Sequence, residues 1–333
     1  MKAENVLDND LLLIDRLGVI RDTINKYGED NFYLSFSGGK DSTVVHHLLD
    51  MALPENRIPR VFSNTGIEYK ANVDFVKSIK DDRFVIIPPS KNIPQTLKKV
   101  GYPFKSKLYS QHYETYRKHK EEIWKEMKKI EEKPSLKQDY DYIHNLPRGI
   151  KTAIKYYYNL RERERVIVSS TYFMVFPECL KYQWHEDLNI SDKCCTEFKE
   201  KPMDEWAKKN GRQRVITGVM AEEGGRRANA KCQGTSHGQP TFNPLAKVSK
   251  EWEEWFIKKY NIRLSSLYYE PFNFERTGCR GCPFNINLQE DLNTLERYFP
   301  AERKACEIIF KPVYNEYRRI GYRLKKEENL KLF

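Results

Sequence analysis

The stretch that decides the fold runs Phe32-Tyr33-Leu34-Ser35-Phe36-Ser37-Gly38-Gly39-Lys40-Asp41-Ser42, followed by Thr43 to Leu53. Phe32 to Phe36 is a short apolar run of strand length, and from Thr43 apolar positions return at helical spacing. A glycine turn between strand and helix lets several backbone N–H groups face one anion, with the positive end of the helix dipole behind them. Gly38 and Gly39 carry no Cβ to keep phosphates away. Lys40 adds a mobile cation, and Ser37 and Ser42 add hydroxyls. Asp41 stands where a helix N-cap or a ligand for magnesium-bound water is useful. The spacing is not the GxxxxGK[ST] of a Walker loop.

Working outward, Leu11 to Tyr27 reads as a helix closed by Gly28, Arg60 to Ser63 as a second strand, Val73 to Ile79 as a helix and Phe84 to Ile87 as a third strand. Arg214 to Ala221 reads as a later strand of the same sheet. Strands alternating with helices over short connections predict an α/β fold with a doubly wound, mostly parallel sheet and right-handed crossovers.

Residues 105–165 differ, with 16 basic against 10 acidic residues and no strand-like run before Val166. This stretch supplies +6 of the net +11 that 58 basic and 47 acidic residues give the whole chain. Tyr113, Tyr116, Ile123, Trp124, Met127 and Ile130 fall near helical spacing and predict one apolar stripe on a long helix. Two readings stand: a solvated helix packed by that stripe, or a basic surface for nucleic-acid backbone with tyrosines for stacking. Three parts are expected: a nucleotide-binding part over 1–104, this basic helical insertion over 105–165, and the remainder over 166–333.

At 39% hydrophobic residues the chain is expected to fold as a soluble protein, with no apolar run long enough for a membrane helix. The acidic N-terminal residues do not resemble a secretion signal, so a cytoplasmic location is expected. There the seven cysteines read as metal ligands or reactive thiols before disulfides. Cys194-Cys195 and Cys279-Arg280-Gly281-Cys282 form two pairs of soft ligands for zinc or an iron–sulfur cluster. Two adjacent cysteines fit separate iron corners better than one tetrahedral zinc. Cys179 and Cys306 lie among apolar neighbours and read as core thiols. His46 and His47 read as packing residues.

The loop Ser37–Ser42 resembles the PP-loop of the adenine nucleotide α-hydrolase superfamily, the ATP pyrophosphatases. That resemblance implies that these six residues cradle the β- and γ-phosphates of ATP with magnesium, with Ser35 and Thr43 beside them. Ser63-Asn64-Thr65-Gly66-Ile67-Glu68 is similar to the Asp-Thr-Gly-x-Glu stretch of the PAPS-reductase-like branch, with Asn64 in place of Asp. It places Asn64, Thr65, Gly66 and Glu68 at the nucleotide. Gly101 to Lys107 resembles another segment of that branch and adds Lys107. The paired cysteines resemble the [4Fe–4S] site of assimilatory adenylylsulfate reductases, making Cys194, Cys195, Cys279 and Cys282 ligands in a C-terminal cluster region. Ala221 to Arg227 resembles a segment whose arginine reaches the nucleotide or its sulfate, which assigns Arg226 and Arg227.

One family feature is missing. Sulfonucleotide reductases use a cysteine in a C-terminal Glu-Cys-Gly-x-His stretch, whereas residues 318–333 here hold neither cysteine nor histidine. With the loop complete, the resemblance implies cleavage of ATP to AMP and pyrophosphate and adenylation of a substrate, as in the ATP pyrophosphatases of DNA phosphorothioation and tRNA thiolation. Similar chains occur in phages and mobile elements. Expected partners are then DNA or tRNA and a sulfur donor such as a cysteine desulfurase. Lys40, Asp41, Arg226 and Arg227 are the expected catalytic residues, and Cys232 reads either as a persulfide carrier or as a partly buried thiol without a role. The competing readings are a sulfonucleotide reductase that uses Cys232 and a nucleic-acid-binding regulator that keeps the nucleotide site.

Overall fold

Five short strands run parallel, an arrangement in which neighbouring strands need a crossover connection and not a tight turn. In the computed structural model, which describes residues 3–158, 188–224, 227–236 and 238–326, the strands are β1 Phe32–Ser35, β2 Arg60–Ser63, β3 Phe84–Ile87, β4 Arg214–Ile216, β5 Gln233–Ser236 and β6 Gln239–Phe242. They form one sheet in the order β3-β2-β1-β4-β6-β5. All pairs are parallel except the hairpin β5–β6. The chain leaves β1 toward β2 and β3 on one side and resumes with β4 on the other, so the switch point lies between β1 and β4. Open α/β sheets bind ligands there, beyond the carboxyl ends of the strands. The loop after β1 occupies that place.

Alternation along β1 sorts its side chains onto two faces. Phe32, Leu34 and Phe36 enter the main core with Val44, Leu48, Leu49, Trp252 and Phe256. Tyr33 enters a smaller cluster on the opposite face with Val61, Val215, Met203 and Ala207. The first core is covered by helices Ala3–Tyr27, Lys40–Ala52 and Lys250–Lys259, and the second by Lys201–Lys209. Helices on both faces make the sheet doubly wound, as the alternation of elements predicts.

The compact units do not follow the chain order. One comprises Met1–Lys91 with Glu197–Arg280 and carries the whole sheet; the other comprises Asn92–Thr196 with Gly281–Phe333. The chain leaves the sheet after β3 and returns to it before β4, so the interruption opens at residue 92, ahead of the basic stretch.

Three sequence readings change. The strand expected over Arg214–Ala221 stops at Ile216, because Thr217 turns its hydroxyl to Asn243 Oδ1 at 2.6 Å and a short 3-10 turn follows at Ala221–Glu223. The long helix of the basic stretch is two helices, Lys107–Lys118 and Lys120–Glu132, parted at His119 with φ −116° and ψ 17°. Ile123, Met127 and Ile130 are buried and Trp124 is exposed, so Trp124 lies off the apolar stripe. Tyr109, Tyr113 and Tyr116 are also buried. These tyrosines pack the helices and are not open for stacking. Val166 and Cys179 lie outside the described residues.

His46 and His47 are packing residues, as expected. Arg60, fully buried on β2, donates from Nε to His46 Nδ1 at 3.1 Å and from Nη2 to Asp50 at 2.6 Å. Burial, then the neighbouring Arg60 charge, pushes His46 down to about 4. His46 therefore serves as a neutral acceptor.

Among the described residues no helix is long and apolar enough to cross a membrane.

Candidate functional site

The turn between β1 and its helix is built by hydroxyls. Ser37 N–H donates to Ser42 Oγ at 3.2 Å, and Gly39 N–H donates to Ser37 Oγ at 3.2 Å. The two serine hydroxyls lie 3.0 Å apart, and Ser42 Oγ also donates to the Gly39 carbonyl at 3.0 Å. Thr43 gives its hydroxyl to the same carbonyl at 2.9 Å. Gly38 takes φ +71°, and a Cβ there would meet Asn72 Oδ1 and Val76 at 2.8 Å. Asn72 is itself buried and donates to the Ser37 carbonyl at 2.9 Å. The turn is thus fastened to the helix Lys70–Ile79.

Lys40 and Asp41 open the helix Lys40–Ala52 and line a cavity of about 460 Å³. Its apolar wall includes Met220, Leu264 and Phe274, and its polar wall includes Glu223, Glu253 and Tyr268. Glu253 is fully buried and lies 3.7 Å from the Lys40 ammonium. Neither carboxyl oxygen receives a close hydrogen bond among the described residues, and Lys40 and Asp41 are the polar side chains that act on it. Burial, then the Asp41 charge, raises Glu253 to about 8. Lys40 N–H donates to the Tyr268 hydroxyl at 3.0 Å. Across the switch point, a Cβ on Gly218 would come within 2.9 Å of the Asp41 carbonyl carbon. The backbones after β1 and β4 therefore touch.

The Asn64–Glu68 segment forms a second turn in the same unit. Gly66 N–H donates to Asn64 Oδ1 at 3.0 Å, and Ile67 N–H donates to Thr65 Oγ1 at 3.2 Å. Glu68 is buried; it receives the Thr65 hydroxyl at 3.2 Å and the Lys199 ammonium at 2.9 Å. Cys279 bridges to Glu68 through its backbone and approaches its carboxylate with Sγ at 4.0 Å, and Arg280 N–H donates to the Ile67 carbonyl at 2.8 Å. The turn that resembles a nucleotide motif is thereby tied to the first cysteine of the CxxC.

The other expected residues are placed as follows. Ser35 turns its hydroxyl toward the Met203 sulfur at 3.7 Å, on the face of β1 opposite the main core. Arg227 pairs with Glu223, which also takes Arg276. Arg226 lies outside the described residues. Cys232 precedes β5 and packs at the margin of the main core. Burial pushes its thiol up, partly countered by Arg16 and Lys247. That direction opposes a thiolate nucleophile, so its surroundings do not support the role expected for it.

Lys107, Cys194, Cys195 and Cys282 belong to the other unit. There Tyr314 donates to the Gly281 carbonyl, Tyr317 donates to the Pro283 carbonyl at 2.9 Å, and Cys306 is a buried core thiol as expected. The four paired cysteines are the right chemistry for a soft metal, yet they divide between the units, three against Cys279. Among the described residues no group of three or more His, Cys, Asp or Glu is arranged to hold a metal ion.

Sequence reasoning missed Asn72, Gly218, Glu253, Tyr268 and Thr277. Only Gly218 left a trace, as a glycine inside the strand expected over Arg214–Ala221, where such a residue can mark a close backbone approach.

The profile of the phosphoadenosine phosphosulfate reductase domain matches residues 31–142 and 130–285. No curated protein matches the chain in sequence. Similar solved structures include phosphoadenylyl-sulfate (PAPS) reductase from Candida auris in a phosphate complex, 12% identical with a TM-score of 0.42, covering 84% of this chain and 96% of that one. The NH3-dependent NAD synthetase from Campylobacter jejuni subsp. jejuni with a nitrate ion is 13% identical with a TM-score of 0.37, over 92% and 95%. The U34-tRNA thiolase NcsA from Methanococcus maripaludis with its [4Fe-4S] cluster is 12% identical with a TM-score of 0.35, over 94% and 80%.

Proposed function

The chain belongs to the phosphoadenosine phosphosulfate reductase domain family, and from that premise we propose that it is an ATP pyrophosphatase that adenylates a substrate for sulfur transfer to nucleic acid. The observation that carries this reading is the complete Ser37–Ser42 loop, with Lys40 and Asp41 lining a cavity at the switch point of the sheet.

In this reading the β- and γ-phosphates lie against the loop and the start of the helix Lys40–Ala52. A substrate oxygen attacks the α-phosphorus, the bond from that phosphorus to the bridging oxygen breaks, and pyrophosphate leaves with the electron pair. Lys40 stabilises the charge that grows on the leaving group. A magnesium ion, if bound with the nucleotide, would supply Lewis-acid stabilisation of the same charge. It commonly arrives with phosphates and needs only one or two protein carboxylates, for which Asp41 serves. The adenylated substrate is then open to a sulfur nucleophile, which displaces AMP.

Nucleic acid is the acceptor class we propose, on the strength of the basic excess over residues 105–165. Arg117, Lys118, Lys120, Lys125 and Lys128 are exposed there beside Trp124 and Tyr140. A [4Fe–4S] cluster on Cys194, Cys195, Cys279 and Cys282 stays a proposal drawn from the donor chemistry alone, and no step is assigned to it.

Product analysis with labelled ATP and magnesium against DNA, tRNA and sulfonucleotides tests the reading. AMP and pyrophosphate are expected, and Lys40→Ala should lower pyrophosphate release by roughly 10²–10³-fold, the usual loss of one donor to a developing anion. Release of ADP, or a Lys40→Ala protein with unchanged turnover, would overturn it.

A further inference from the structure

Three hydroxyl oxygens converge on Gly39. A Cβ there would meet Ser37 Oγ at 3.2 Å, Thr277 Oγ1 at 3.3 Å and the Tyr268 hydroxyl at 3.4 Å. Ser37 belongs to the loop, but Tyr268 and Thr277 arrive from a segment 228 or more residues later in the chain. Their hydroxyls lie 2.9 Å apart.

The first N–H groups of a helix lack partners within it and suit an anion's oxygens. Thr43 N–H already closes the first helical bond, to the Gly39 carbonyl at 3.0 Å. Lys40 N–H, one position inside the helix, points at the Tyr268 oxygen. A phenol oxygen therefore sits where a phosphate oxygen would. Tyr268 lines the same cavity as Lys40, and so does the buried Glu253 carboxyl 3.7 Å from the Lys40 ammonium.

We propose that Tyr268 is a phosphate-binding residue of this loop and that Thr277 positions it. This rests on the phosphate-loop reading and adds the residues that complete it. When a phosphate oxygen takes the Lys40 N–H, the Tyr268 O–H donates to that phosphate while the Thr277 hydroxyl donates to the Tyr268 oxygen and holds it in place. The phenol gains a charge-assisted hydrogen bond, and no proton leaves it. Burial raises Tyr268 above the ordinary phenol range, so the donor proton is retained at neutral pH.

The test is calorimetric binding of inorganic pyrophosphate to the full chain, with thermal melting of each variant as a check on folding. Tyr268→Phe keeps the ring and removes the donor, so binding should weaken roughly tenfold to a hundredfold, the worth of a hydrogen bond to a charged group. Thr277→Val should weaken binding by a smaller factor, and Thr277→Ser, which restores the hydroxyl, should return it to the wild-type value. Unchanged or tighter binding by Tyr268→Phe, with Lys40→Ala still defective, would overturn the role of Tyr268 and leave the loop reading intact. Failure of the wild-type chain to bind pyrophosphate would overturn both.

Discussion

Gly218→Ala puts the geometry of the switch point under direct stress. Gly218 follows β4, and the added methyl would lie 2.9 Å from both the carbonyl carbon and Cβ of Asp41 and 3.0 Å from its carbonyl oxygen. Ordinary contact begins near 3.4 Å, so one backbone must retreat by about 0.5 Å, the difference between 3.4 and 2.9. Two of the three clashing atoms are backbone, and no rotamer change relieves them. Overpacking of this kind costs about 1–3 kcal/mol. A shift of ~1 Å in a reacting group costs about a hundredfold in rate, so half of that predicts a loss of roughly tenfold. Urea unfolding and pyrophosphate release, measured on one preparation, separate the two effects. Gly18→Ala is the control, because its methyl meets nothing within 4 Å in the middle of the helix Ala3–Tyr27. There stability should hold or rise by about 0.5–1 kcal/mol. A Gly218→Ala protein that unfolds with the wild type and turns over normally would refute the rigid contact between β4 and the loop. One that is destabilised yet fully active would refute the link from this contact to catalysis.

Two further outcomes follow from named groups. His46 is held down to about 4 against an ordinary value of 6.5, so the unfolded chain takes up its proton first as pH falls. Its contribution is present in full above about 6.5 and is lost as pH drops through about 4, to the extent of about 3 kcal/mol. Urea midpoints across that window should fall for the wild type and flatten for His46→Gln; equal slopes would refute the assignment. For the paired cysteines, anaerobically purified protein is expected to be brown, absorbing near about 400 nm. Cys282→Ser should bleach it, and a colourless wild type holding one zinc would refute the cluster.

The legible part of the fold was the part written in local chemistry. Phe32–Ser35, Arg60–Ser63 and Phe84–Ile87 are short apolar runs between turn residues, and they are strands at or within one residue of the ends that the pattern sets. The hairpin β5–β6 was invisible because Gln233–Ser236 is polar and exposed, an edge strand with no buried face to leave a pattern. In the Lys107–Glu132 stretch, apolar spacing alone does not register a change of helix axis at His119, so two helices read as one. The loop was legible because its chemistry is consecutive. Glu253 was not: it lies between Trp252 and Glu254 on a helix rich in Glu and Lys, and only the packed structure sets it against Lys40. Tyr268 and Thr277 were illegible for the same reason, since nothing local marks a hydroxyl that closes a loop more than 200 residues away.

That burial of Glu253 bears on how the loop greets a polyanion. A carboxylate 3.7 Å from Lys40 would ordinarily neutralise it and repel phosphates. The separation by itself favours an ion pair, yet Glu253 is raised to about 8, so burial and the Asp41 charge outweigh the pull of Lys40. Desolvation penalises the charged form of a buried acid unless a partner offsets it, and here Lys40 at 3.7 Å offsets it only in part. The upward shift favours the neutral acid and so weakens the cancellation of the Lys40 charge. Such an arrangement favours a ligand that brings negative charge, which is what the phosphate loop requires.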